Sequence, residues 1–274
     1  SDLSGPVLAG IVWPIPSRWD VTPGRNRVGY EALPFRFSGC PASMSARYAI
    51  YLTPPADHPL WLSGCTWLGR DPSEDEAPAA PARRISPWRY GFHATLKPPM
   101  RLAEGCSLQA LHQTMCVLAR SVRPFEMPAL EVGELDQLIV LQAAAPLAVD
   151  HPLQGLADRC VTELDAFRDP PTPADLSRRR GQGPLDERQQ ELLARWGYPH
   201  VLERWHFHCT LSDTILDEGE RAVWMELART FFTPALEQPW TCDALSLFVE
   251  PSVGAPLQLL RRYALGGTAP CQRT

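Results

Sequence analysis

The chain has 274 residues, with 26 Lys and Arg against 31 Asp and Glu, a formal net charge of −5 and 45% hydrophobic residues. That length and apolar content suit one large domain or two small lobes around a substantial core. The acidic balance argues against a general nucleic-acid coat or a polybasic membrane binder, since both work through a strong positive field, but it leaves room for a local basic pocket holding one phosphate.

Residues 1–45 are rich in Pro, Gly and Arg and carry little periodicity. They are expected to form an N-terminal extension along the body with no part in the chemistry, Met44 being a candidate ancestral start. The apolar stretch from Val7 to Trp13 is short and lacks a basic flank, so no secretory signal is expected there. No apolar run approaches the roughly 20 residues needed to span a bilayer. From Arg47 the pattern becomes regular. The run RYAIYLTPP, residues 47–55, predicts a strand ended by proline. His58 to Gly69 has helical spacing and a terminal glycine. A loop rich in Asp, Glu, Ala and Pro follows to Pro87, then a strand over Tyr90 to Leu96. A helix is predicted over Ser107 to Val122 and strands over Glu131 to Leu135 and Leu138 to Ala144. Leu153 to Phe167 reads as a helix, 168–183 as a Pro/Arg-rich loop, and Leu185 to Trp196 as a helix capped by Gly197. Trp205 to Leu211 is a strand, Glu218 to Phe232 a helix, and Ala244 to Glu250 with Pro256 to Ala264 a closing hairpin. Residues 266–274 are a tail. The eight cysteines show no Cys-x-x-Cys and no zinc-type spacing. Cys116, Cys160 and Cys209 sit in apolar patterns and read as small buried hydrophobes in a reducing, cytoplasmic compartment.

The same eight-residue idea occurs twice. Residues 89–96 read RYGFHATL and residues 204–211 read RWHFHCTL, with His208 lying 115 positions after His93. Asp57-His58-Pro59-Leu60 recurs as Asp150-His151-Pro152-Leu153, and Arg70-Asp71-Pro72 as Arg168-Asp169-Pro170. A Pro-Ala-Leu-Glu segment, 128–131 and again 234–237, follows each motif's helix. The offset is 93 residues for the Asp-His-Pro-Leu pair and 115 for the His-x-Thr pair, which fits an enlarged insert between 168 and 197. The organisation implied is a duplicated strand–helix–strand–helix unit spanning 46–265, with lobes over roughly 46–137 and 138–265 that meet about a pseudo-two-fold axis.

On a strand, residues i and i+2 share a face. His93 and Thr95 therefore point together, with Lys97 next if the strand continues, and His208 and Thr210 do likewise on the second strand. Phe92, Ala94, Leu96, Phe207, Cys209 and Leu211 face the cores. Two imidazoles on one cleft suit in-line cleavage of a phosphodiester: one neutral ring takes a proton from water or a ribose hydroxyl, and one protonated ring supplies the leaving oxygen. The threonine hydroxyls can donate to the non-bridging oxygens, and Lys97 can add charge. No metal and no cofactor is needed for that chemistry.

The paired His-x-Thr strands resemble the two-histidine (2H) phosphoesterase superfamily, which includes cyclic nucleotide phosphodiesterases and the so-called RNA 2′,5′-ligases. The wider run, RYAIYLTPP, WLGRD, RYGFHATLKPPMRL and FHCTL, resembles a bacterial branch often encoded beside phosphonate-degradation genes. The resemblance covers about residues 46–265. It implies an α+β bilobal fold, two pseudo-symmetric lobes of antiparallel sheet flanked by helices with a cleft between them, and catalytic roles for His93, Thr95, His208 and Thr210. It also implies a metal-independent diesterase acting on a small phosphorylated substrate, with a ribose cyclic phosphate as the substrate expected from the branch. A monomer without membrane or extended nucleic-acid partners is expected.

Further substrate contacts are expected from Lys97, Tyr90, Arg89, Arg204, His206 and Tyr48. Tyr48 and Tyr51 lie on opposite faces of their strand, so at most one reaches the cleft. His206 shares a face with His208, but Gly91 occupies the matching place in the first copy, so contact with substrate is the better reading than a metal pair. His58 and His151 open helices before proline, where capping explains them. Arg178-Arg179-Arg180 could act as a lid over a phosphorylated substrate or could simply be solvated. Two other functions fit parts of the pattern: an RNA-end enzyme acting on 2′,3′-cyclic phosphate or 2′,5′ links, and a non-catalytic module that binds a phosphate ligand.

Overall fold

The computed structural model describes residues 46–180 and 184–267. The N-terminal extension and nearly all of the expected tail lie outside the described residues, as do the side chains of Arg178, Arg179 and Arg180.

In chain order the elements are β1 (Arg47–Leu52), α1 (Pro59–Leu68), α2 (Ile85–Tyr90), β2 (Ala94–Met100), α3 (Leu108–Arg120), β3 (Phe125–Glu126), β4 (Leu130–Leu135) and β5 (Leu138–Ala143). There follow α4 (Pro152–Glu163), α5 (Pro173–Arg180), α6 (Glu187–Trp196), β6 (His208–Thr210), α7 (Glu218–Leu236), β7 (Thr241–Cys242), β8 (Ala244–Glu250) and β9 (Gln258–Ala264). The fold is α+β. Seven strands form one antiparallel sheet in the order β4-β5-β6-β2-β1-β8-β9, and β3 pairs with β7 in a separate ribbon.

The duplication is visible in the local chemistry. α1 starts with His58, whose Nδ1 accepts the Leu60 N–H at 3.0 Å. α4 starts with His151, whose Nδ1 accepts the Leu153 N–H at 3.2 Å. In both, proline fills the first helical position, where its missing N–H costs nothing. One part of the expected alignment fails: Pro128–Glu131 leads into β4, whereas Pro234 and Leu236 lie inside α7.

The two halves of the sheet meet where β2 and β6 pair at Ala94 and Cys209, the matching positions of the two motifs. Outward from that pair, β1 and β5 correspond, then β8 and β4. The strands therefore interleave instead of following the expected bounds. β4 comes from the first repeat but pairs with β5 of the second, and β8 returns from the second repeat to pair with β1. Each half is closed by a strand from the other repeat.

Two elements depart from the predicted pattern. α2 forms where a loop running into a strand is expected, because the Asp213 carboxylate accepts the Ile85 and Ser86 N–H groups at 3.0 and 2.7 Å. That cap comes from 128 residues away and leaves no local trace. α5 forms inside the expected loop. There Thr172 and Asp175 satisfy one another's backbone N–H groups and Pro173 opens the helix. The helices cover one face of the sheet. Ile50, Leu52, Ala94, Leu96, Cys209 and Leu211 are buried against them in the main core. Cys65, Cys160, Cys209 and Cys242 are buried free thiols. Cys116, also buried, departs from the expected reading and is disulfide-bonded. Among the described residues no helix is long and apolar enough to cross a membrane.

Candidate active site

Residues directly opposite in an antiparallel pair share a face. With Ala94 opposite Cys209, the register carried one residue either way sets His93 beside Thr210 and Thr95 beside His208. Ala94 and Cys209 are fully buried on the helix side, so all four motif side chains emerge on the other face. There they line a cavity of about 730 Å³.

Both imidazoles are held in the same way. His93 Nδ1 donates to the Gly91 carbonyl at 2.8 Å, and His208 Nδ1 to the His206 carbonyl at 2.9 Å. The carbonyl two residues back fixes the Nδ1–H tautomer of each neutral ring and leaves Nε2 for chemistry. Gly91 makes the first arrangement possible: at φ +77° it turns the chain from α2 into β2, and a Cβ there would lie 2.8 Å from the Pro72 ring. His93 Nε2 is 3.1 Å from the Thr95 hydroxyl, which can donate to it.

The two rings differ in surroundings. Tyr51 stacks on His93, with centroids 3.8 Å apart and planes at 26°, and Tyr90 lies 6.1 Å from it. Burial, with the charge of His208 adding to it, lowers the His93 pKa to about 4. Burial also lowers that of His208, with His200 and His206 pushing the same way. Both are therefore neutral at pH 7. A bound phosphodiester anion would raise both pKa values by supplying the opposite charge.

The other expected contacts divide. Tyr90 and Arg89 line the cavity. Lys97 does not share the motif face. The β1–β2 register slips between Ile50 and Tyr51, so Leu96 and Lys97 together face Ile50 in a β-bulge. The bulge turns Lys97 to the helix side, where it is 2% exposed. Its ammonium donates to the Val161 carbonyl at 3.0 Å and to Asp165 at 3.2 Å. Arg204 instead makes an exposed ion pair with Asp186 at 2.8 Å. His206 is exposed and supplies the backbone carbonyl that holds His208. Tyr48 is 5% exposed in the helix-side core, and Tyr51 takes the cavity position.

Arg47, Glu250 and Arg70 were not singled out from the sequence. Arg47 and Tyr51 share the cavity face of β1, a relation readable from their four-residue spacing. Glu250, which lies across β1 from Arg47, has a side chain with no exposure and accepts from both Arg47 and Arg89. These two arginines come from distant stretches of chain, 203 and 161 positions away, so no local motif marks it. Arg70 is buried and donates to the Trp88 and Arg89 carbonyls at 2.9 and 3.2 Å, which fixes the end of α2 that carries Arg89 and Tyr90.

Two curated proteins, both named "Ribose 1,5-bisphosphate phosphokinase PhnN", are similar to this chain. One, from Janthinobacterium sp. (strain Marseille), is 34% identical over 89% of this chain and 56% of its own length. The other, from Laribacter hongkongensis (strain HLHK9), is 38% identical over 78% and 51%. The chain thus spans about half the length of the curated relatives it matches. Among solved structures, Escherichia coli LigT complexed with 3′-AMP is similar at 15% identity and a TM-score of 0.38, over 81% of this chain and 98% of that one. A structure titled "Crystal structure of phosphoesterase" is similar at 16% identity and a TM-score of 0.37, over 81% and 98%. One family model covers residues 95–258, from the first motif's threonine to the start of β9. With more than half of its length so matched, the chain belongs to the family described as Protein of unknown function (DUF1045).

Proposed function

We propose that this protein is a metal-independent phosphodiesterase that hydrolyses a small cyclic phosphodiester, with His93 as general base and His208 as general acid. The observation that carries the reading is the Ala94–Cys209 register, which brings two His-x-Thr motifs to one cavity with both Nδ1 atoms pinned to backbone carbonyls. His93 Nε2 takes a proton from water as the water oxygen bonds to phosphorus. The bond from phosphorus to the ring oxygen breaks on the opposite side, and that oxygen takes the proton from His208 Nε2. Thr95 and Thr210 donate hydrogen bonds to the non-bridging oxygens, whose charge grows in the transition state. The phosphate anion itself supports a protonated His208, since its charge opposes the lowering by burial.

The substrate we favour is 5-phosphoribosyl 1,2-cyclic phosphate. Opening its ring at the 2-oxygen yields ribose 1,5-bisphosphate, the compound in the names of the two relatives. The test is turnover by the purified protein, in excess chelator, of that cyclic sugar phosphate, of 2′,3′-cyclic nucleotides and of cyclic-ended RNA. The expected result is hydrolysis that survives chelation, with the sugar phosphate preferred. A tenfold or greater kcat/KM advantage for nucleotide or RNA, about 1.4 kcal/mol at the transition state, replaces this substrate with an RNA end. Phosphate binding without turnover of any of them makes the protein a ligand-binding module.

A further inference from the structure

We propose that Arg47 and Arg89, held together by the buried carboxylate of Glu250, form a second anion subsite at one end of the cavity, for a phosphate monoester carried on the substrate away from the diester. The inference rests on the hydrolytic reading for its substrate, and on the geometry of three residues for its place.

The carboxylate of Glu250 has no exposure. One oxygen accepts from Arg47 Nε, and the other from Arg89 Nη2 and, at 2.8 Å, from the Gly254 N–H. One arginine would balance a buried carboxylate. Here two share it, so the cluster keeps one positive charge in excess. A guanidinium carries five N–H donors. Among the described residues, Arg47 spends one of them on Glu250. Arg89 spends one there and has a long 3.4 Å contact to the Ala255 carbonyl. No nitrogen of either is both buried and unpaired, and both side chains line the cavity with partial exposure, 12% and 28%. The remaining donors are therefore not sealed in the core, both side chains border the cavity, and a planar fork of N–H groups suits a phosphate oxygen pair.

The position suits a bisphosphorylated sugar. Arg47 lies four residues before Tyr51 on the same face of β1, about 13 Å along the strand at ~3.3 Å per residue, and Tyr51 stacks on His93. The Arg89 guanidinium sits 5.3 Å above the Tyr90 ring, which is itself close to His93. Two other cations expected at the site are committed elsewhere, Lys97 to Asp165 and Arg204 to Asp186. Asp175 also acts on Arg47, and it is bound by Arg101 at 2.9 Å.

The test compares two substrates that differ in one group: ribose 1,2-cyclic phosphate with and without its 5-phosphate. Wild-type protein should prefer the phosphorylated form in kcat/KM by 10²-fold or more. Arg47→Gln and Arg89→Gln should each cut that preference at least tenfold, mainly through KM, and the double variant should bring it near unity. Calorimetric binding of ribose 5-phosphate, which has no diester, should weaken at least tenfold in the double variant. If a glutamine variant does not fold, Arg89→Lys keeps the charge but loses the planar fork and should still reduce the preference several-fold. Arginine-dependent ribose 5-phosphate binding without turnover of any diester would sink the hydrolytic reading and leave the subsite standing. Turnover with an unchanged preference in folded variants, or ribose 5-phosphate binding unmoved by them, overturns the subsite.

Discussion

The β2 and β6 sides of the cavity carry the same His-x-Thr motif in different settings. On each, a histidine donates through Nδ1 to the carbonyl two residues back, and a threonine follows on the same face. The β2 side surrounds its histidine with the stacked ring of Tyr51, the ring of Tyr90 and, further along β1, the Arg47–Glu250–Arg89 cluster. The β6 side is a three-residue strand whose histidine feels His200, His206 and Asp136. Duplication explains what the two sides share. The proposed split of labour between base and acid, and the proposed placing of a second phosphate, need what they do not share. A symmetric pair of imidazoles has no reason to hold its proton on one side, and the aromatic packing around His93 supplies one.

The sharpest break of the pair is loss of either imidazole. His93→Ala and His208→Ala should each lower turnover by about 10²–10⁴-fold on the true substrate, the range for removing a general acid or base. Near-wild-type rates in either would end the shared role. Next in size, the pH profile should separate the two rings. The free protein has both histidine pKa values lowered, His93 to about 4. Its kcat/KM should therefore be highest on the acid side of pH 6.5 and fall as pH rises, because His208, the acid, gives up its proton there. Under saturating substrate the bound anion raises the acid's pKa, so kcat should hold to higher pH. Parallel profiles for kcat and kcat/KM would remove the anion's proposed part.

The smallest effect is on stability. His93 has a folded pKa below the ordinary 6.5 of the unfolded chain, so the unfolded state binds more protons between those values. Its contribution is fully present above about pH 6.5 and is lost as pH falls towards about 4, with a slope of at most about 1.4 kcal/mol per pH unit. Denaturant unfolding of His93→Gln against wild type across that window should show a flatter pH dependence in the variant. Equal slopes would mean that the buried ring is not the source.

The sequence by itself determined the doubled motif and the alternation on each strand. It also determined the helix caps at His58 and His151, and the pairing of His93 with Thr95 and of His208 with Thr210 on one face of each strand was legible from spacing alone, whereas the Ala94–Cys209 register that brings both pairs to one cavity was not. The legible properties are local: period-two alternation and a proline after a capping side chain act over a few residues. Tertiary structure alone decided what depended on partners far along the chain. The bulge at Leu96 and Lys97 arises from the pairing of β2 with β1, and it removed a lysine that uninterrupted alternation would have put in the cavity. The choice of Tyr51 over Tyr48 depended on which face of β1 the helices cover. α2 depended on a cap from Asp213, and the interleaving of β4 and β8 on pairing between repeats. The charge of the cavity was decided by Glu250 meeting two arginines 203 and 161 positions away. Contacts at that separation are selected by packing of the whole sheet, and a short stretch of sequence carries no record of them.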